Sequence, residues 1–279
     1  SAVGARLDAE GDEVVRVDVM LAQAHGETQV PEGTHQLDVR DVDRLVLASS
    51  MVVYGEGRYA CSEHGVQLPG LRTVEALEAG QFENPCPVCA RPLTWRLVDE
   101  DARLDPRSSY AASKLAQEHY TSSWVRQAGA AAVALRYHNV YGPGMPRDTP
   151  YSGVAAMFRS SLERGEAPQV FEDGDQMRDF VHVDDVARAN VAAIRAVAGF
   201  GAGRSAAYNV CSGTPVSIAE VARLVSGGTV EPEITGRYRA GDVRHIVASP
   251  ELAASELGFR AEVLPADGLP AFATAPLRA

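Results

Sequence analysis

Two seven-residue runs, Arg44–Ser50 (RLVLASS) and Ala131–Tyr137 (AAVALRY), are almost wholly apolar. A strand with no polar face must be covered on both faces, as happens inside a parallel sheet flanked by helices. Between and after these runs the periodicity becomes helical. A long pattern from Arg107 reads SSYAASKLAQEHYTSSWVRQAG and stops near Gly129, and further patterns cover 153–164, 184–197 and 218–225. Ser217 and Glu220 stand at capping-box spacing before the last of these. Strand runs alternating with helical ones predict an α/β fold of the Rossmann type, with a doubly wound parallel sheet.

The N-terminal part departs from that pattern. Residues 1–9 have helical spacing with Gly11 as a stop, 13–19 (EVVRVDV) reads as a strand with Asp18 near its end, and 34–39 (THQLDV) reads as another. A dinucleotide-binding sheet is expected to open with a strand and a glycine-rich turn, and neither precedes 13–19. From Asp38 to Arg44 the chain passes between two strand candidates without the crossover of a dozen residues that parallel neighbours need. Further sequence is therefore expected before Ser1 and between about Arg40 and Asp43.

Composition narrows the function classes. Lys+Arg total 26 against 37 Asp+Glu, a formal net charge of −11, which argues against a nucleic-acid partner. No apolar run approaches the ~20 residues of a membrane span, and no secretion signal opens the sequence. The expected location is the cytoplasm, with the four cysteines reduced unless they bind metal.

Tyr110 and Lys114 lie four apart on one face of the long helical pattern. An ammonium near a phenol favours the phenolate, so Tyr110 is a candidate acid/base. Ser49 and Ser50 end the upstream apolar strand, where active-site groups of such sheets collect. With these residues the stretches LVLASSMVVYG (45–55), SSYAASKLAQEHY (108–120), LRYHNVYGPG (135–144), MRDFVHVDDVA (177–187), YNVCSG (208–213) and RAGDV (239–243) occur in one order. Together they resemble the extended short-chain dehydrogenase/reductase family, specifically its NAD-dependent nucleotide-sugar epimerases and dehydratases.

The resemblance implies roles position by position. Ser50, Tyr110 and Lys114 would be catalytic, with Ser50 bonding the sugar oxygen and Lys114 holding the nicotinamide ribose. NAD would meet Asp18 at the adenosine ribose, Asp38 and Val39 along the adenine, Ala48 and Ser49 at the strand end, and Tyr137 and Val140 at the nicotinamide. Asn139, Arg178, Arg239 and Asp242 would hold the nucleotide diphosphate and its ribose, and Phe171 would pack the base. The ordinary alternative for each arginine is a surface ion pair, and Asn209 and Gly213 read as turn-shaping. Residues 1–150 would form the NAD-binding domain and 151–279 a smaller substrate region, with 178–213 contributing to the Rossmann side. Relatives often pack the Tyr110 helix against its copy, so a homodimer is expected.

The reaction class turns on the two residues directly after Ser50. The resembling dehydratases carry an Asp-Glu pair there, and decarboxylating relatives keep the Glu. Met51 and Val52 can move no proton. That leaves reversible oxidation through a keto-sugar, an epimerisation at C4 of a UDP-hexose or UDP-uronate. The alternatives are a nucleotide-sugar ketoreductase and a non-catalytic relative that binds NAD or nucleotide sugars. His138, commonly aromatic in relatives, would fill space beside the nicotinamide. His182 reads as structural, Arg147 as a loop charge able to meet a uronate, and His119 and Trp124 as lying away from the cofactor.

Ser50 and Tyr110 are separated by about twice the family's usual spacing, and the excess falls in 56–100. That insertion holds Cys61-Ser-Glu-His64 and Cys86-Pro-Val-Cys89. Two half-motifs, each with two intervening residues, can present three thiolates and an imidazole tetrahedrally, so a structural Zn²⁺ knuckle is expected. Redox chemistry at the Cys86/Cys89 pair and incidental reduced thiols are the other readings. Leaving the strand of Ser50 and returning at the helix of Tyr110, the insertion is expected to stand over the sugar pocket as a lid, or else to serve as a docking knob.

Overall fold

A computed structural model describes residues 2–11, 16–17, 34–35, 42–147 and 153–278. In chain order the elements are α1 (Ala2–Ala9), β1 (Arg16–Val17), β2 (Thr34–His35), β3 (Arg44–Ser50), a 3-10 turn (Met51–Tyr54), β4 (Arg58–Cys61), β5 (Gly65–Gln67), α2 (Val74–Glu78), β6 (Thr94–Arg96) and α3 (Ser109–Ala128). They continue as β7 (Ala131–Tyr137), β8 (Asn139–Tyr141), α4 (Val154–Glu163), β9 (Gln169–Val170), β10 (Met177–His182), α5 (Val183–Ala198), β11 (Ser205–Val210), β12 (Pro215–Ser217), α6 (Ile218–Ser226), β13 (Glu233–Ile234), α7 (Glu251–Leu257) and α8 (Pro265–Phe272).

The two apolar runs lie side by side. β7 pairs in parallel with β3 on one edge and β11 on the other, in a register that sets Ser50 opposite Tyr137. Ala131, Val133 and Leu135 of β7 are buried with Tyr208 and Val210 of β11 and with Ala189, Ala193 and Val197 of α5. This is the parallel α/β arrangement the sequence implies. A second core gathers Tyr141, Phe158, Val170, Phe180, Val221, Val225 and Leu269. β8 and β10, paired in parallel, form the wall between the two cores. Alternation along β10 sends Val181 to the first core and Phe180 to the second.

The helices end where their caps dictate. Ser108 Oγ accepts from Ala111 N at 3.1 Å to open α3, and Gly129 closes it with left-handed φ. Ser217 Oγ accepts from Glu220 N at 3.2 Å to open α6. His182 caps α5 by accepting from Asp184 N at 3.3 Å, the structural part expected of it. Among the described residues, no helix is long and apolar enough to cross a membrane.

Of the two N-terminal strand expectations only Arg16–Val17 and Thr34–His35 are described, and they pair in parallel. Asp18, Asp38, Val39 and most of the 38–44 junction lie outside the described residues. Asn209 needs correction. It is fully buried within β11, where its side chain accepts from Tyr54 Oη at 2.8 Å and donates to Val98 O at 3.0 Å. A buried amide must satisfy both ends, and a strand interior flanked by a tyrosine and a carbonyl does so.

The insertion has its own small antiparallel sheet in the order β5-β4-β6. Its entry is fixed by Gly55, with φ 62° and ψ −122°, where an added Cβ would stand 2.3 Å from Asp105 O. Both the dihedral and the clash require glycine. Gly55→Ala is therefore expected to destabilise the fold by about 1–3 kcal/mol, measured as a lowered midpoint in chemical unfolding.

Candidate active site

α3 lies across the carboxyl ends of β3 and β7, and three polar contacts hold it there. Lys114 Nζ donates to Ala48 O at 2.9 Å and stands 5.9 Å from the centre of the Tyr110 ring. One turn further on, Glu118 accepts from Ser49 Oγ and from Arg136, whose Nε and Nη2 lie at 3.0 and 2.8 Å. Arg136 Nη1 also donates to Tyr54 Oη at 2.8 Å, so the network continues through Tyr54 to Asn209. The side chains of Glu118 and Arg136 are 11% and 6% exposed, and an ion pair so removed from water holds only with its remaining donors satisfied, as here.

Ser50 and Tyr110, 60 positions apart in sequence, line one cavity of about 310 Å³ with Tyr137, His138, Asn139 and Val140. Ser50 Oγ accepts from Val52 N at 3.4 Å, the only hydrogen bond of that hydroxyl among the described residues. Tyr110 is 56% exposed, so its phenol is open to a ligand. Tyr137 borders the cavity with its hydroxyl committed to Asn190 Oδ1 at 2.9 Å. Ser49 lines the same cavity, but its hydroxyl is committed to Glu118.

A second cavity, of about 430 Å³, adjoins the first through Asn139 and Val154, which line both. Phe171, Arg178, Arg239 and Asp242 line it. The Phe171 ring is met by the guanidinium groups of Arg237 and Arg239 at 5.0 and 5.3 Å. Arg178 donates to the carbonyls of Met177, Arg244 and Val243 at 2.9, 2.8 and 2.6 Å. Burial pushes its pKa down, and no described carboxylate lies within ion-pair distance. Its hydrogen bonds go to carbonyls alone, which leaves guanidinium donors for an oxyanion while Asp242, Glu56 and Glu172 act on its charge from further off. Arg147 pairs with Glu163 at 2.8 Å.

The wall beside these cavities holds two groups with shifted acidity. Burial pushes the Asp179 carboxyl up to about 7, although Ser212 N, Ser212 Oγ and Gly213 N all donate to it. Burial pushes His138 down from 6.5 to about 3, against the opposing pull of the Asn209 side chain. Glu118, Arg136, Tyr54 and Asp179 were not singled out in the sequence. Only Glu118 carried a signal there, as the next residue on the Tyr110–Lys114 helical face.

For NAD, the nicotinamide end of a site fits the residues present: an open phenol and a strand-end hydroxyl line one cavity, and an ammonium held on a strand-end carbonyl stands beside the phenol ring. The adenine end, expected at Asp18, Asp38 and Val39, lies outside the described residues.

The insertion brings Cys61, His64, Cys86 and Cys89 together with all four ligand atoms within 4.8 Å of one another. Cys61 Sγ lies 3.4 Å from His64 Nδ1 and 3.7 Å from Cys89 Sγ. Gly65 and Ala90, each directly after the second ligand of its half-motif, have φ of 66° and 60°. The two turns are thus alike, and Ala90 holds a conformation uncommon for a residue with a Cβ. The expectation of a lid is corrected: no residue of 56–100 lines either cavity. Polar contacts at Glu56, Tyr59 and Glu83 draw the insertion onto residues 244–245 instead.

A family model described as the NAD dependent epimerase/dehydratase family matches residues 92–211. A dTDP-L-rhamnose 4-epimerase of Burkholderia thailandensis is 34% identical over 78% of this chain and 58% of its own length. A UDP-glucose 4-epimerase of Mycolicibacterium smegmatis is 31% identical over 82% of this chain and 69% of its own. Among solved structures, the UDP-glucose 4-epimerase of Thermotoga maritima with UDP-glucose superposes with a TM-score of 0.59 at 27% identity, covering 84% of this chain and 64% of that one. The chain belongs to the NAD dependent epimerase/dehydratase family, and it spans 58% of the length of the first of these relatives.

The depressed pKa of His138 has a measurable sign. A folded-state pKa below the unfolded one gives stability that is present above pH 6.5 and lost as pH falls toward 3. Between pH 7 and 4.5 the unfolding midpoint of the natural protein should fall more steeply than that of His138→Phe, by up to about 1.4 kcal/mol per pH unit. Chemical unfolding at several pH values measures this.

Proposed function

We propose that the protein is an NAD-dependent epimerase of a nucleoside-diphosphate sugar, acting at C4 through a transient keto-sugar, with a UDP-hexose or UDP-uronate as substrate. The observation that carries this reading is that the Ser50–Tyr110 cavity and the Arg178 cavity are neighbours with Asn139 and Val154 in the walls of both. A ligand lying across both would bring a sugar to the hydroxyls and a diphosphate to the Arg178 guanidinium. Family membership and the names of the relatives support it.

In this reading Ser50 donates to the sugar oxygen, and Tyr110 takes the proton from that hydroxyl and later returns it. Lys114, held by Ala48 O, orients the nicotinamide ribose beside Tyr110. Tyr137 and Val140 border the ring, and Asp18, Asp38, Val39, Ala48 and Ser49 remain the positions proposed for the rest of the cofactor. NAD, when bound there, would supply a reversible hydride acceptor at the sugar carbon. Asn139, Arg178 and Arg239 bind the diphosphate, Asp242 the ribose, and Phe171 the base. Met51 and Val52, in the turn after Ser50, supply no acid for water elimination.

The same reading places a structural zinc at Cys61, His64, Cys86 and Cys89, because three thiolates and an imidazole fill a tetrahedral shell and leave no position for substrate. α3 is assigned as the homodimer contact, supported by Tyr120, 77% exposed on that helix. The cytoplasm is the location this reading assigns, where thiols stay reduced and available to a metal.

Incubation with NAD and a panel of UDP- and dTDP-sugars, followed by chromatography, tests the activity. Epimer formation without net NADH is expected; stoichiometric cofactor consumption would make the protein a ketoreductase, and binding without conversion a sensor. Tyr110→Phe should lower kcat by at least ~10²-fold. Metal analysis should find about one zinc per chain, lost in Cys86→Ser/Cys89→Ser.

A further inference from the structure

The insertion reaches the nucleotide cavity from behind. Glu172 lines that cavity next to Phe171 and has a left-handed backbone, φ 54°. Its Oε2 accepts from Arg72 Nη1 and from Arg244 Nη1, each at 2.9 Å. Arg72 belongs to the insertion, and the side chains of Arg72, Glu172 and Arg244 are at most 3% exposed. Arg72 Nη2 also donates to Asp242 O at 2.8 Å, so one guanidinium ties together two segments of the cavity wall. Arg244 is shared with Glu83 of the insertion, at 2.9 and 2.6 Å, and with Asp173, at 2.7 and 2.8 Å.

Glu83 and Asn84 precede the Cys86–Cys89 half-motif with only Pro85 between. Asn84 O accepts from Leu93 N at 2.8 Å, closing the hairpin that carries the two thiols. Asn84 Nδ2 donates to Glu56, which also accepts from Arg244 N at 2.9 Å. Tyr59, packed with Cys61 and Cys86, accepts from His245 N at 2.9 Å. Continuous buried contacts therefore run from the knuckle to the cavity wall.

Charge gives this connection its consequence. Glu83, Glu172 and Asp173 place three carboxylates around Arg244, and Arg72 supplies the second guanidinium. Without Arg72 the wall of a cavity suited to a diphosphate gains net negative charge, and Glu172 loses one of its two donors. Repulsion in so desolvated a place acts on an anionic ligand far more than on a neutral one.

Resting on the reading above, we propose that the knuckle-bearing insertion is a positioning element of the nucleotide site: Arg72 neutralises Glu172 and fixes the 171–173 and 239–242 walls, so that the cavity accepts a nucleoside diphosphate. Arg72 is a positioning residue here, acting through Glu172 and Asp242. The test is calorimetric binding of UDP, dTDP and uridine to the natural protein, Arg72→Gln and Arg72→Lys, with kcat and KM measured for each. Arg72→Gln is expected to weaken diphosphate binding about tenfold and uridine binding no more than about twofold, raising KM while kcat changes less. Arg72→Lys, which keeps the charge, should stay within about threefold of the natural protein; should Arg72→Gln fail to fold, Arg72→Met, which also removes the charge, takes its place with the same expected and overturning results. Unchanged diphosphate affinity in Arg72→Gln overturns the proposal, as does an equal loss for uridine and UDP. Should the natural protein itself bind neither UDP nor dTDP, the epimerase reading falls instead.

Discussion

The carboxylate of Glu118 lies between the hydroxyl of Ser49 and the guanidinium of Arg136, and through them it joins α3 to the ends of β3 and β7. Ser49 precedes Ser50, Arg136 precedes Tyr137, and Glu118 comes one turn after Lys114. One buried carboxylate thus sets the height of the helix against the sheet. The facing of Tyr110 toward Ser50 depends on that height, since a helix turned or shifted by one residue would carry the phenol away. The cost of burying the charge is offset because each donor is itself satisfied, out to Tyr54 and Asn209.

The cleft exists because the chain builds two cores rather than one. β8 and β10 stand between them, and their alternating side chains feed both. Where β8 begins, Asn139 belongs to neither core. It donates to Asp179 O at 2.9 Å and looks into both cavities. A ligand with a sugar at one end and phosphates further along needs such a place, where a polar side chain sits at the seam of two packed bodies.

Much of this was legible in the sequence because it rests on local pattern. β3 and β7 have the boundaries their apolar runs imply, and α3 ends at Gly129 as composition suggests. The Cys/His half-motifs are close in space because tight turns fix their geometry within four residues. Long-range polar partnerships were not legible. Nothing in the local sequence of Asn209 tells that Tyr54 will come to it, and nothing around Arg244 tells that Glu83, Glu172 and Asp173 will surround it. The insertion was misplaced for the same reason: its attachment points suggested the sugar pocket, whereas Glu56, Tyr59 and Glu83, distant in sequence from residues 244–245, draw it to the other side of the wall.

The burial of Arg244 also limits how this chain can be remodelled. Its side chain is 1% exposed, and one of the three carboxylates around it, Glu83, comes from the insertion. Trimming 56–100 to the short loop of simpler relatives would strand a guanidinium in the interior with part of its counter-charge gone. The insertion and Arg244 are therefore one unit of inheritance: a graft or a deletion that moves either has to move both.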